Sequence, residues 1–302
     1  LHVRSRRQRQ MCIRDRSKLF IHSSRKSLHA LDGAYASLLH GRSLDFEDLR
    51  KYEYGDQVRD IDWRATARLG TPLVKRHRAM RMHTILFVVD TGRSMAALAH
   101  DEKSKKDLAI LATGVLGVLA LRHGDDFSLV YGDSDRIRRR APGRSEGALE
   151  HALRTIDQSI DSSTASSDRD ALLSYVTRTV SRRMIVVVIT DEAPVTTETE
   201  RMLRRLRVQH DVLWLTVSDA DPVLDHATGT IRSDVDSMWE VPDFVQGDPD
   251  IIRELAAQTE ADAARLAELL KRMEISHSVL AGQDDAVSQL LQLLNRRSNA
   301  RL

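Results

Sequence analysis

The stretch from Ile85 to Met95 constrains this chain most: five apolar residues, Ile-Leu-Phe-Val-Val, run without a break into Asp90, then Thr91, Gly92, Arg93 and Ser94. A continuous apolar run of that length is the pattern of a strand covered on both faces, as in a parallel sheet. The polar residues then fall just past its carboxyl end, where open α/β sheets bind ligands. Met184 to Asp191 repeats the grammar, with Ile-Val-Val-Val-Ile running into Thr190 and Asp191. Two such strands would bring two carboxylates to one edge of one sheet and suggest a metal or polar binding site there.

The remaining segments alternate helix and strand patterns. Ser27 to Leu39, Lys103 to Leu121, Pro142 to Ile160, Ala171 to Val180, Glu198 to Arg207, Pro249 to Met273 and Asp284 to Arg296 carry helical spacing of apolar residues. Phe127 to Tyr131, Val212 to Val217 and Ile275 to Leu280 read as further strands, and Ile137 to Arg140 as a short edge strand whose arginines discourage pairing. Ser159 to Asp170 is a Ser/Thr/Asp-rich loop, and Val241-Pro242-Asp243 begins a polar excursion. The alternation predicts a doubly wound α/β fold with a mostly parallel sheet.

The basic balance of the whole chain, +2 with a pI near 8.8, comes from its first residues. Residues 1–16 hold six arginines and one acid, and Met11 to Arg16 resembles a translated transposase adapter. Taking them as a non-native leader leaves 40 basic residues against 43 acidic ones, a formal net charge of −3. No aromatic residues interleave with the arginines, so nucleic acid is not the expected partner. Cys12 also lies in this leader, which leaves the rest without thiol chemistry. Apolar runs fall short of the roughly 18 residues a membrane span needs; the expectation is a cytoplasmic protein with no membrane segment in the visible chain.

Gly55 to Arg68 is the densest signature in the first quarter. Tyr54-Gly55-Asp56 is a turn signal. Arg59, Asp60, Asp62 and Arg64 around Ile61 and Trp63 suggest a charged, paired surface pinned by two apolar anchors. The structural reading of this run is a turn plus an ion-paired strand that packs on the main domain; recognition is the alternative, since exposed ion pairs are worth only about 0–1 kcal/mol each. The sequence Gly-Asp-x-x-Arg-x-Ile-Asp-Trp-x-x-x-Ala-Arg, followed by a strand ending Asp-x-x-x-Ser-Met, resembles the DUF58 family, whose members carry a von Willebrand factor A-like domain. On that basis residues 17–80 are an N-terminal signature extension and residues 81–302 a von Willebrand A-like α/β domain.

The resemblance implies a metal ion-dependent adhesion site, in which Asp-x-Ser-x-Ser, a Thr from a later loop and a late Asp hold Mg²⁺. Hydroxyls supply oxygens without charge and leave the ion able to take a partner's carboxylate. Carried over, Asp90, Ser94 and Asp191 match, Gly92 stands where the first Ser would be, and the middle loop offers Thr164, Ser166 and Ser167, with Thr164 the candidate threonine. The site is therefore expected to be partly degenerate. Two facing carboxylates without a cation would repel and raise one pKa, which calls for a cation or a basic side chain, with Arg93 the candidate. The alternative is that both carboxylates only cap helices or loop amides.

No phosphate-binding glycine loop, dinucleotide fingerprint, zinc-protease helix or nucleophile elbow occurs. A phosphohydrolase of haloacid dehalogenase type also sets a nucleophilic Asp after a buried strand. It needs a second acid two residues on, where Gly92 stands. The expected function is a non-enzymatic interaction module. The resemblance further implies a MoxR-type AAA+ ATPase and a client protein as partners, with Arg59, Asp60, Asp62, Trp63, Arg64 and Arg93 as contact residues.

Overall fold

The structure, a computed structural model, describes residues 25–40, 48–54, 61–76, 83–220 and 248–299. Its centre is a six-stranded sheet of β3 (Thr84–Asp90), β4 (Asp126–Gly132), β5 (Ile137–Gly143), β6 (Ile185–Asp191), β7 (Asp211–Val217) and β8 (Ser276–Leu280). The order is β5-β4-β3-β6-β7-β8. All pairings are parallel except β4 with β5.

Every residue of β3, β4, β6 and β7 is buried, because helices cover both faces. The two-residue period of a strand sorts the apolar runs. Ile85, Phe87, Val89, Ile185, Val187, Ile189, Leu213 and Leu215 enter one core cluster. Leu86, Val88, Val186, Val188, Val212 and Trp214 enter the other. The first face is covered by α3 (Lys105–Arg122), α4 (Glu146–Ser162), α8 (Ala286–Asn299) and α1 (Arg25–His40). The second is covered by α5 (Arg169–Thr179), α6 (Thr197–Gln209) and the end of α7 (Pro249–Arg272). Edge strand β5 exposes Arg138 and Arg139 to solvent, as its composition suggested. No helix among the described residues is long and apolar enough to cross a membrane.

The residues ahead of β3 do two different things. Helix α1 belongs to the core: Leu31 and Tyr35 are buried, and the Tyr35 hydroxyl donates to Asp125 Oδ2 at 2.8 Å. Asp125 also accepts the His83 N–H at 2.9 Å, tying α1 to the entry of β3. Further on, β1 (Asp48–Lys51) and β2 (Leu73–Arg76) form an antiparallel pair with α2 (Trp63–Leu69) between them.

Here the structure corrects the expected pair of apolar anchors. Asp62 is the N-cap of α2, accepting the N–H groups of Arg64 and Ala65 at 2.9 and 3.0 Å, and Gly70 ends the helix at φ 70. Ile61 is half-buried and bridges Val74. Trp63 opens the helix and is 64% exposed, since α2 buries no residue. The expected turn at Gly55-Asp56, the leader, Arg59, Asp60 and the segment at Val241 lie outside the described residues.

Candidate functional site

The chain runs from β3 to its neighbour β4, crosses back to β6 on the other side of β3, and continues outward to β7 and β8. The switch point of this winding lies between β3 and β6, where a doubly wound sheet opens a crevice. Val89 is level with Ile189, so Asp90 leaves β3 beside Thr190 and Asp191 at the end of β6.

Asp90 is fully buried. Its Oδ1 accepts the Gly92 N–H at 2.8 Å and the Ser167 hydroxyl at 2.9 Å. Its Oδ2 is buried with no hydrogen-bond partner. Burial, then the charge of Asp191, push the Asp90 carboxyl up to about 7, against the Gly92 and Ser167 hydrogen bonds that favour its charged form; the charge of Asp133 adds a smaller push upward. Ser94 Oγ lies 2.5 Å from Ser167 Oγ, so two hydroxyls and one carboxylate form a continuous chain.

Three contacts hold the loop that delivers Ser167. The Arg93 N–H donates to Ala165 O at 2.8 Å, the Ser134 N–H to Ser166 O at 3.0 Å, and the Ser163 hydroxyl to Asp133 Oδ2 at 2.9 Å. Thr164 is exposed, and Ser167 is the residue of this loop that reaches Asp90. Asp168 then caps α5 by accepting the Ala171 N–H at 2.8 Å.

Asp191 is buried, with Lys105 Nζ 3.9 Å from its Oδ2. Lys105 is itself fully buried and also contacts Asp219 Oδ1. Next along, Glu192 has its carboxyl raised by burial and by the charge of Asp219, with Lys105 pulling the other way. A second buried cation, Arg169, donates to the carbonyls of Ala193 and Pro194 at 3.0 and 2.7 Å and to Thr199 Oγ1 at 3.1 Å. It fastens the segment after β6 to the start of α5. Burial lowers the Arg169 pKa while Asp170, Asp191 and Asp90 support its charge.

The donor set is thus two carboxylates and two hydroxyls, all hard oxygens of the kind Mg²⁺ takes together with water. The orphaned buried Oδ2 of Asp90 is the observation that fits a cation here. Among the described residues no group of three or more His, Cys, Asp and Glu is set to hold a metal ion, so any ion at this edge would depend on the hydroxyls and on water.

Of the residues singled out from sequence, Asp90, Ser94 and Asp191 gather at the switch point and Thr164 does not join them. Arg93 is half-buried beside them. Asp62, Trp63 and Arg64 belong to the separate α2 unit. Lys105 and Arg169 were not anticipated. The available signal for Lys105 was a lysine one turn ahead of the almost wholly apolar run from Leu108 to Leu121.

Residues 48–230 match the family described as "Protein of unknown function DUF58". Uncharacterized proteins of Mycobacterium bovis and Mycobacterium tuberculosis are 28% identical over 193 residues, 63% of this chain and 59% of theirs. The chain therefore spans about three fifths of the length of the curated relatives it matches. Among solved structures, an aerotolerance-related membrane protein from Bacteroides fragilis, carrying multiple mutations to serines, aligns with a TM-score of 0.42 at 15% identity, over 72% of this chain and 99% of that one. A von Willebrand factor type A protein from Catenulispora acidiphila aligns with a TM-score of 0.41 at 9% identity, over 73% and 43%. The PilB minor pilin from Streptococcus sanguinis aligns with a TM-score of 0.47 at 9% identity, over 77% and 65%.

Proposed function

The chain belongs to the DUF58 family, and from that premise we propose that it is a non-enzymatic, adaptor-like interaction module whose switch-point edge docks a protein partner with the help of a divalent cation. The observation that carries this reading is the buried, unpartnered Oδ2 of Asp90 beside a second buried carboxylate and two hydroxyls. A buried carboxylate oxygen without a donor is costly, and a cation bound between Asp90 and Asp191 would relieve it. Mg²⁺, when bound, would supply an open position for a carboxylate from the partner. Asp90 and Asp191 would supply the charge, Ser94 and Ser167 the neutral oxygens. Fixed hydrogen bonds to Gly92 and Ser167 orient Asp90 before any ion arrives.

The partner proposed is a MoxR-type AAA+ ATPase, for which the module would recruit a client protein. Exposed Trp63 and Arg64, with Arg59 and Asp60 of the same signature and Arg93 at the edge, are the proposed further contacts. Aromatic and arginine side chains are the types that anchor interfaces.

Co-purification with such an ATPase, in Mg²⁺ and in EDTA, with wild type and Asp90→Ala, tests the reading. Capture in Mg²⁺ that both perturbations abolish is expected. Capture that ignores both sinks the cation-assisted docking and leaves the adaptor role standing. Phosphoester turnover that Asp90→Ala abolishes would favour the rival reading of Asp90 as a hydrolase nucleophile.

A further inference from the structure

Lys105 stands where two physical terms oppose a cation. It is the first residue of α3, where the helix dipole disfavours positive charge, and its side chain is fully buried, which disfavours any charge. What offsets both is a pair of carboxylates from different strands' ends: Asp219 after β7, in contact with Nζ, and Asp191 at the end of β6, 3.9 Å away.

The backbone fixes this arrangement. The Lys105 N–H donates to Ala97 O at 3.1 Å, and the Ala220 N–H donates to Leu98 O at 3.1 Å. Asp219 itself bridges Ala99. One short segment, residues 97–99, thus holds both the lysine and its carboxylate partner at the crevice.

We propose that Lys105 is the resident countercharge of Asp191 and so sets the cation affinity of the Asp90–Asp191 edge. This rests on the cation-docking reading above and deepens it. An entering divalent ion must share Asp191 with a fixed ammonium, which weakens its binding to the free protein. An acidic segment of a partner restores the negative charge that the lysine cancels. Cation and acidic partner therefore bind together, and neither binds tightly alone.

Mn²⁺ serves as the probe, its binding to the full chain followed by electron paramagnetic resonance, with folding checked by circular dichroism. Lys105→Met, which keeps the length of the side chain and removes the charge, is expected to tighten Mn²⁺ binding by about tenfold or more. Lys105→Gln, which keeps a polar group for Asp219, carries the same expectation should the methionine variant not fold. Asp90→Asn is expected to abolish binding in every background. Affinity in both lysine variants equal to or weaker than wild type overturns the proposal while leaving cation docking intact. Absence of Mn²⁺ binding from wild type and both lysine variants, or binding that Asp90→Asn does not touch, overturns the docking reading and this proposal with it.

Discussion

Gly92 has an ordinary backbone, φ −68, so its glycine is required for room and not for conformation. A Cβ there would lie 2.5 Å from the Cα, the N and the Oγ of Ser167. The space that a serine at 92 would fill is already taken by the serine at 167, whose hydroxyl reaches Asp90 directly. Gly92→Ser is therefore expected to destabilise the protein by about 1–3 kcal/mol through overpacking, read as a lower denaturant midpoint, and to weaken cation binding. A variant of unchanged midpoint with tighter binding would mean that position 92 is a simple vacancy. The missing oxygen at 92 was plain in the sequence. Its replacement was not, because the choice among Thr164, Ser166 and Ser167 is made by Arg93, Ser134 and Asp133, which anchor the loop from outside it.

At the scale of elements, the site has two halves, the loop into α5 that carries Ser167 and the end of β6 that carries Asp191. Arg169, at the start of α5, joins them through two hydrogen bonds to the segment after β6 and adds a third to α6. Arg169→Met is expected to cost about 3 kcal/mol, since it removes a buried charge-assisted network and leaves carbonyls unpaired. Hydrogen exchange should then rise in both segments together; a rise in one alone would show that they move independently. The central strands were legible because an apolar run ended by a carboxylate has few other readings. Helix α2 was not, although its cap Asp62 and its terminator Gly70 are both local signals, because seven residues with charges on either side of Trp63 show no apolar face. Lys105 was hidden for a different reason: its carboxylate partner Asp219 follows β7, distant in sequence.

For the molecule as a whole, the family match over residues 48–230 covers less than the folding unit. Leu31 and Tyr35 from α1, and Leu290 and Leu294 from α8, share one hydrophobic cluster with β3 and β6. A fragment limited to residues 48–230 would lose β8 and would keep only α3 and α4 on that face of the sheet. It is expected to lack the sharp calorimetric transition of the full chain, and a fragment that melts cooperatively near the same temperature would refute this.

Helices α1 and α8, the first and last of the described elements, pack against each other. Translation supplies about 5–20 residues per second, so α1 leaves the ribosome roughly 10–50 seconds before α8 exists. Until then Leu31, Ala34 and Tyr35 lack the cover that α8 supplies. The growing chain therefore carries an adhesive stripe of its own until α8 is made.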